Sequence, residues 1–310
     1  SPHAPRNPNP VMIGDSLRIT VVHRNCLRIE FQPDGEFVDA PTLFATNRDA
    51  RTADLSVIPE DGNVTVDTGA IRLRCRNDGE RPSADNLRAQ IGAGNAAVTW
   101  QPGLQNEGNL GGTAETLDGW TGPRKLPPGL LSRDGWFLLD DSNTPVLTAD
   151  GWVRARNQPD SVDWYLFGYG RDYRAAFQAL AAISGGVPLP RRHTLGVWYS
   201  RYWPYSSDDY RRLVAEYAKH AFPLDVIVLD MDWHINDAAR APGAKTKPGG
   251  KVWTGYTWDR ELLPDAEKLL EWFHDQGLLV TLNDHPADGV QPHEEMYEAF
   301  MKEMRAPTDA

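Results

Sequence analysis

TLGVWYSRYWPYSSDDYRRLVAEYAKHAFPLDVIVLDMDWH, residues 194–234, reads as strand, loop, helix and strand, closed by a cluster of acids and aromatics. Leu195-Gly-Val-Trp-Tyr199 is short, apolar and bounded by polar residues, as expected of a strand buried on both faces. Ser207 is the candidate N-cap of the following helix, with Asp208 and Asp209 in its first turn. Tyr210, Leu213, Val214, Tyr217 and Ala218 fall on one apolar stripe, and Pro223 closes the helix. Leu224-Asp-Val-Ile-Val-Leu229 is a second, β-branched run. Two such strands joined by an amphipathic helix predict a βαβ unit with parallel pairing.

Chemistry-bearing residues gather where these strands end. Arg201-Tyr-Trp-Pro-Tyr205 follows the first, and Asp230-Met-Asp-Trp-His234 ends the second. Ligands of α/β folds bind at the carboxyl ends of parallel strands. Rings beside carboxylates suit a sugar, whose apolar face stacks while its hydroxyls need acceptors, and this makes Tyr202, Trp203 and Trp233 candidates for contact. The competing reading is that Trp203 and Trp233 simply pack loops.

LGVWYSRYWPYSS (195–207), FPLDVIVLDMDWH (222–234) and YLFGYGRDYRAAFQALAAISGGVPLPRRHTLG (165–196) together resemble glycoside hydrolase family 31, the α-glucosidase and α-xylosidase family. The resemblance implies a multi-domain chain: an N-terminal antiparallel β-sandwich, then a (β/α)8 barrel. It implies a retaining, exo-acting α-glycosidase, most simply an α-glucosidase, that takes an oligosaccharide or glycoside and needs no cofactor and no metal. Asp230 matches the family aspartate that binds sugar hydroxyls in the −1 subsite, with Asp232 and Trp233 as supporting residues. His285 matches a strand end where many members carry Asp. In the family a sandwich loop offers an aspartate to the sugar, and Asp134 is the candidate for that part. The nucleophile, on the fourth barrel strand, and the general acid would both fall after Ala310, so no residue of this chain is expected to be catalytic.

The upstream half supports the first of those domains. Leu17, Ile19 and Val21, then Leu27, Ile29 and Phe31, then Ile71, Leu73 and Cys75 alternate with polar residues, and Pro33-Asp-Gly35, Asp61-Gly-Asn63 and Asn77-Asp-Gly79 mark turns. One apolar and one polar face per strand predicts antiparallel sheets packed as a sandwich. Gly108-Asn-Leu-Gly-Gly-Thr113 is glycine-rich but lacks the lysine and the βαβ setting of a phosphate loop. A helix over Asp172–Ser184 has Tyr173, Ala176, Phe177, Leu180 and Ala181 on one stripe and ends at Gly185-Gly186. The expected organisation is therefore 1–15 disordered or a processing remnant, 16–170 β-sandwich, 171–193 connecting helix and linker, and 194–310 the first three βα units of the barrel.

Past Asp232, residues 235–260 form a long aromatic-containing loop, expected to be a lip over the pocket. Helices are predicted over Pro264–Gln276 (stripe Ala266, Leu269, Leu270, Phe273) and Pro292–Met304, with a strand Leu278–Leu282 between them that ends in Asn283-Asp-His-Pro.

Composition narrows the partners. The formal net charge is −11, which disfavours a nucleic-acid surface, and no apolar run is long enough to span a membrane. The two cysteines, Cys26 and Cys75, have parities that do not suggest a bridge, and unpaired thiols fit a reducing, cytoplasmic setting better than a secreted one. Oligomeric state is not legible. Two other functions stay open. One is a non-catalytic carbohydrate-binding protein, because subsite residues are present without a matched nucleophile. The other is a metal-dependent glycosyltransferase, because Asp230-Met-Asp232 has the Asp-x-Asp form of a divalent-cation motif. Asp230 and Asp232 are not expected to be a hydrolytic pair, since neighbours on one strand face cannot flank a sugar from opposite sides.

Overall fold

The computed structural model describes residues 10–307 apart from 51, 53, 54, 115, 157 and 247–249. The chain divides into two compact units at Pro188/Leu189. The expectation of disorder over 1–15 falls partly outside the described residues. Its described part contradicts it, because Val11–Ile13 is a paired strand and Ile13 is fully buried.

In the first unit the strands are β1 (Val11–Ile13), β2 (Leu17–His23), β3 (Cys26–Phe31), β4 (Ser56–Glu60), β5 (Asn63–Asp67) and β6 (Ile71–Arg76). They continue with β7 (Leu87–Ile91), β8 (Val98–Trp100), β9 (Trp136–Asp140), β10 (Val146–Leu147), β11 (Val153–Arg154) and β12 (Val162–Gly168). One antiparallel sheet has the order β1-β2-β3-β12-β9, and the other runs β4-β5-β6-β7-β8 as a meander. Ile19, Leu27, Ile29 and Leu166 of the first sheet and Val66, Ile71, Leu73 and Ile91 of the second bury into one cluster. The period-two pattern is cleanest in β6, where every second residue is buried.

In β3 the expected polar face is not solvent. All six residues are buried, Arg28 and Glu30 included. Helix α1 (Tyr173–Ser184) covers part of that face, and Val22, Cys26, Tyr165, Phe167, Ala176, Ala179 and Ile183 form a second apolar cluster there. α1, expected to be a connector, thus packs within the first unit. Its buried residues are Ala175, Ala176, Ala179 and Ile183; of the predicted stripe, Ala176 is buried and Tyr173 and Leu180 pack against the cluster, whereas Phe177 and Ala181 are exposed, so the buried face is turned toward the alanines. Small alanines let the helix sit close to the sheet, and the bulky ring is left outside.

Beside this cluster lies a buried network of charges. Arg28 Nε donates to Asp163 Oδ1 at 2.9 Å, Arg48 Nη2 to Asp163 Oδ2 at 2.6 Å, and Arg156 Nη1 to the same oxygen at 2.9 Å. Glu30 pairs with Arg28 and Arg18, and Asp141 with Arg48. Burial alone would raise the carboxyl of Asp163, but the surrounding guanidinia overcome it and hold its pKa down to about 2. Glu30 and Asp141 go the other way, raised chiefly by burial.

The second unit holds strands β13 (Trp198–Tyr199), β14 (Val226–Leu229) and β15 (Leu279–Leu282), parallel and in that order. Helix α2 (Ser207–Lys219) links the first pair and α3 (Ala266–Asp275) the second, and α4 (Tyr297–Glu303) follows. The stripes of α2 and α3 pack, through Tyr210, Ala266, Leu269 and Phe273, onto Ile227 and Leu229. Ala218, the last residue of the predicted α2 stripe, is exposed.

Several local expectations need correction. The N-cap of α2 is Ser206, not Ser207: Ser206 and Asp209 form a reciprocal capping box, while Ser207 Oγ donates to Asp265 Oδ1 at 2.6 Å. The helix ends at Lys219 before Pro223 is reached, because Ala221 adopts φ 53° and the Phe222 N–H bonds back to Tyr217 O at 3.0 Å. Leu195–Tyr199 is not a five-residue buried strand. Arg192–Leu195 is a 3-10 turn, Val197 N–H is taken by Asp225 Oδ2 at 2.7 Å, and pairing begins only at Trp198, which is exposed. α4 starts at Tyr297 and not at Pro292, since Glu294 and Glu295 just before it are used to pin the long loop.

Candidate functional site

β14 stops at Leu229, and Asp230 caps a 3-10 turn over Met231–Trp233. Asp230 Oδ1 accepts from its neighbour Met231 N–H at 2.8 Å and from Asn283 Nδ2, at the end of β15, at 2.6 Å. Its second oxygen takes no hydrogen bond from any described residue. One carboxylate oxygen is therefore an anchor and the other is left as an acceptor at the strand end.

The turn separates Asp230 from Asp232. The shared-face geometry expected of a strand does not exist here. Asp232 is buried, and its Oδ1 accepts from Asn236 Nδ2 at 2.7 Å, with Oδ2 enclosed and unpartnered. Trp233 corrects the contact reading: it is 7% exposed, belongs to the core, and packs edge-on to Trp258 with centroids 5.2 Å apart. Its Nε1–H donates to Asn283 O at 2.7 Å, so it ties two strand ends together from inside.

Tyr202 and Trp203 are both exposed after β13. Trp203 has the Arg201 guanidinium 4.7 Å over its ring, which covers one face. Tyr202 instead lies 6.2 Å from Trp253 of the long loop, and Trp253 lies 5.7 Å from His285. His285 is half-buried after β15, with an enclosed, unpartnered Nδ1. Tyr202, Asp230 and His285 thus stand at three successive strand ends, as the sequence suggests.

Asp134 lies in the first unit, where its Oδ2 accepts from Gly108 N–H at 2.8 Å and the glycine packs directly on the carboxylate. A Cβ on Gly108 would lie 2.9 Å from Asp134 Cγ, so the aspartate serves the turn of the glycine-rich loop.

The long loop is stitched down. Arg240 forms two hydrogen bonds of 2.7 Å with Asp259, and Val252 N–H reaches Asn236 O at 2.8 Å. Glu294, buried next to His293, accepts from Tyr256 N–H at 3.1 Å and from Thr257 Oγ1 at 2.5 Å. His234 is fully enclosed under Gly255, and burial lowers its pKa, which favours the neutral ring. Among the described residues, no three or more His, Cys, Asp or Glu side chains converge to hold a metal ion, and no helix is long and apolar enough to cross a membrane. Sequence alone does not single out Asn283, Glu294 or Trp253 as site residues. Asn283 has a signal, since it ends β15 as Asp230 follows β14.

Residues 187–307 match the sequence model of the glycosyl hydrolases family 31 TIM-barrel domain. An α-xylosidase, XylQ, of Lactiplantibacillus pentosus is 25% identical over 173 residues, covering 53% of this chain and 21% of the relative. An α-xylosidase of Saccharolobus solfataricus is 24% identical over 128 residues, covering 41% and 16%. The chain thus spans about a fifth or less of the length of these relatives. Among solved structures, a dextranase of Flavobacterium johnsoniae complexed with glucose superposes with a TM-score of 0.56 at 15% identity, over 88% of this chain and 36% of that one. A soil-metagenome α-xylosidase complexed with xylose gives 0.56 at 15% identity, over 96% and 48%. At that identity the likeness is one of fold. The match over 187–307 places that segment in glycoside hydrolase family 31.

Proposed function

We propose that this chain is part of a retaining, exo-acting α-glycosidase that removes terminal α-linked sugars from oligosaccharides, with α-glucosidase as the first reading. Asp230 carries the proposal: a strand-end carboxylate anchored through one oxygen, its other oxygen left to accept from a sugar hydroxyl, with the exposed rings of Tyr202 and Trp203 after the neighbouring strand. On this reading the two antiparallel sheets are the β-sandwich and the three parallel strands are βα units of the (β/α)8 barrel. Asp232 and Trp233 hold the strand end in place. No residue of this chain is assigned as nucleophile or acid. The two carboxyl groups that cleave the bond, ~5–5.5 Å apart in retaining enzymes, would be supplied by other barrel strands.

α-Xylosidase is the second reading, favoured by the names of both curated relatives. Aryl α-glucoside and aryl α-xyloside, supplied to the full-length protein with the first-formed anomer followed by NMR, separate the two. An inverted first product would overturn the retaining assignment. Asp230→Asn should lower kcat/KM more than about tenfold with an unchanged melting temperature, because a hydrogen bond to a charged group is worth ~1.5–3 kcal/mol. Unchanged kinetics would make Asp230 structural.

A further inference from the structure

Trp253 is about half exposed, at 48%, although its neighbours Val252 and Thr254 are both fully buried. A tryptophan on a mobile loop would gain by folding its large apolar surface inward. This one cannot, because the backbone on either side is fixed. Thr254 Oγ1 donates to His285 O and accepts from Asp288 N–H at 3.1 Å. Gly255 lies so close to the imidazole of His234 that an added Cβ would come within 2.6 Å of its Cγ. Glu294 then holds the next two residues, through Tyr256 N–H and the Thr257 hydroxyl. The indole is held out by its own main chain.

It is held out beside other rings. Tyr202, also about half exposed at 47%, lies 6.2 Å away at an interplanar angle of 44°, and His285 lies 5.7 Å away at 57°. Three rings from three separate segments therefore make one wall. Acceptors accompany it: Asp284 is exposed, and Asn283, two residues before His285, is the anchor of Asp230.

We propose that Trp253, flanked by Tyr202 and His285, is the face on which a pyranose ring of the substrate stacks. The assignment rests on the α-glycosidase reading above and adds a sugar-binding residue to it. An aromatic wall with carboxylate acceptors fits a neutral polyhydroxyl ring, whose C–H face is apolar and whose hydroxyls donate outward. It does not fit an anionic ligand, which the carboxylates would repel.

Calorimetric titration of the protein with methyl α-glucopyranoside, methyl α-xylopyranoside and isomaltose tests this, using Trp253→Ala, Trp253→Phe and Asp230→Asn. We expect Trp253→Ala to weaken the tightest-bound sugar by about tenfold or more and Trp253→Phe by no more than about threefold. Both should melt like the parent, since the indole is not part of a core. If Trp253→Ala binds as the parent does while Asp230→Asn fails, the wall is wrong and the glycosidase reading survives. Weakened binding together with a lowered melting temperature in both Trp253 variants would make the indole structural and also overturn the wall. A parent protein that binds none of the three sugars overturns both readings.

Discussion

Replacing Asp163 by Asn removes one charge from the buried network of the first unit while keeping the side-chain shape. Asp163 Oδ2 accepts from Arg28, Arg48 and Arg156, and Oδ1 accepts from Arg28 Nε. An amide cannot replace that pattern. If its oxygen takes the Oδ2 position, its NH2 faces Arg28 Nε; if it is flipped, the NH2 faces three guanidinium donors. The drop of this carboxyl from the ordinary 3.8 to about 2 corresponds to favourable interaction on the order of 2–3 kcal/mol. Unpairing buried guanidinia raises the cost to about 3–5 kcal/mol. For a unit of this size that lowers the melting temperature by roughly 6–20 °C.

The pH dependence has a definite sign. A depressed carboxyl stabilises fully above its unfolded value, ~3.9, and loses that contribution as pH falls through the folded value. Glu30 and Asp141, both raised, act in the opposite direction, so the parent alone does not isolate the effect. The difference between parent and variant does: it should be constant near neutrality and narrow only below about pH 4. Differential scanning calorimetry across pH, with Arg74→Ala of the exposed Arg74–Glu60 pair as a control worth about 0–1 kcal/mol, measures both. A shift no larger than that control, or a gap that closes already at neutral pH, would refute the reasoning.

Two further outcomes are expected. Gly255→Ala should cost about 1–3 kcal/mol, because the new methyl meets an enclosed His234 ring and the loop must shift; a melting temperature and near-ultraviolet circular dichroism equal to the parent's would show that the loop is looser than its hydrogen bonds imply. Cys26 and Cys75 are free and buried in different clusters, and burial pushes both thiols up, that of Cys75 to about 12; an aromatic disulfide reagent should therefore label neither in the native protein and both in denaturant, and rapid native labelling would contradict this.

What the amino-acid order reveals and what it hides divide along a physical line. β6, β14 and the stripe of α3 are legible because each is set by local periodicity against a single apolar neighbour. One face of β3 is not, because Arg28 and Glu30 look like surface residues until Asp163, 135 positions away from Arg28, closes on them. The buried face of α1 is legible only in part: Tyr173, Ala176 and Leu180 meet the cluster as predicted, but size alone points inward with Phe177 whereas close approach to the sheet selects Ala175 and Ala179. At the candidate site, Asp230 and Tyr202 are visible as strand-end residues. Glu294 and Thr254 are not, since single side chains gripping groups of distant segments leave no repeating pattern, and neither is Gly255, whose need for a missing side chain is set by the His234 ring packed against it.

β3 has no position that faces water. Leu27 and Ile29 are committed to one core, Cys26 to another, and Arg28 and Glu30 to charges on other segments. With its positions committed in this way, none is free to drift alone. A lineage that changes Arg28 has to change Asp163 or Glu30 with it, so variation in this strand should come as coupled pairs spread across the chain and not as single tolerated replacements.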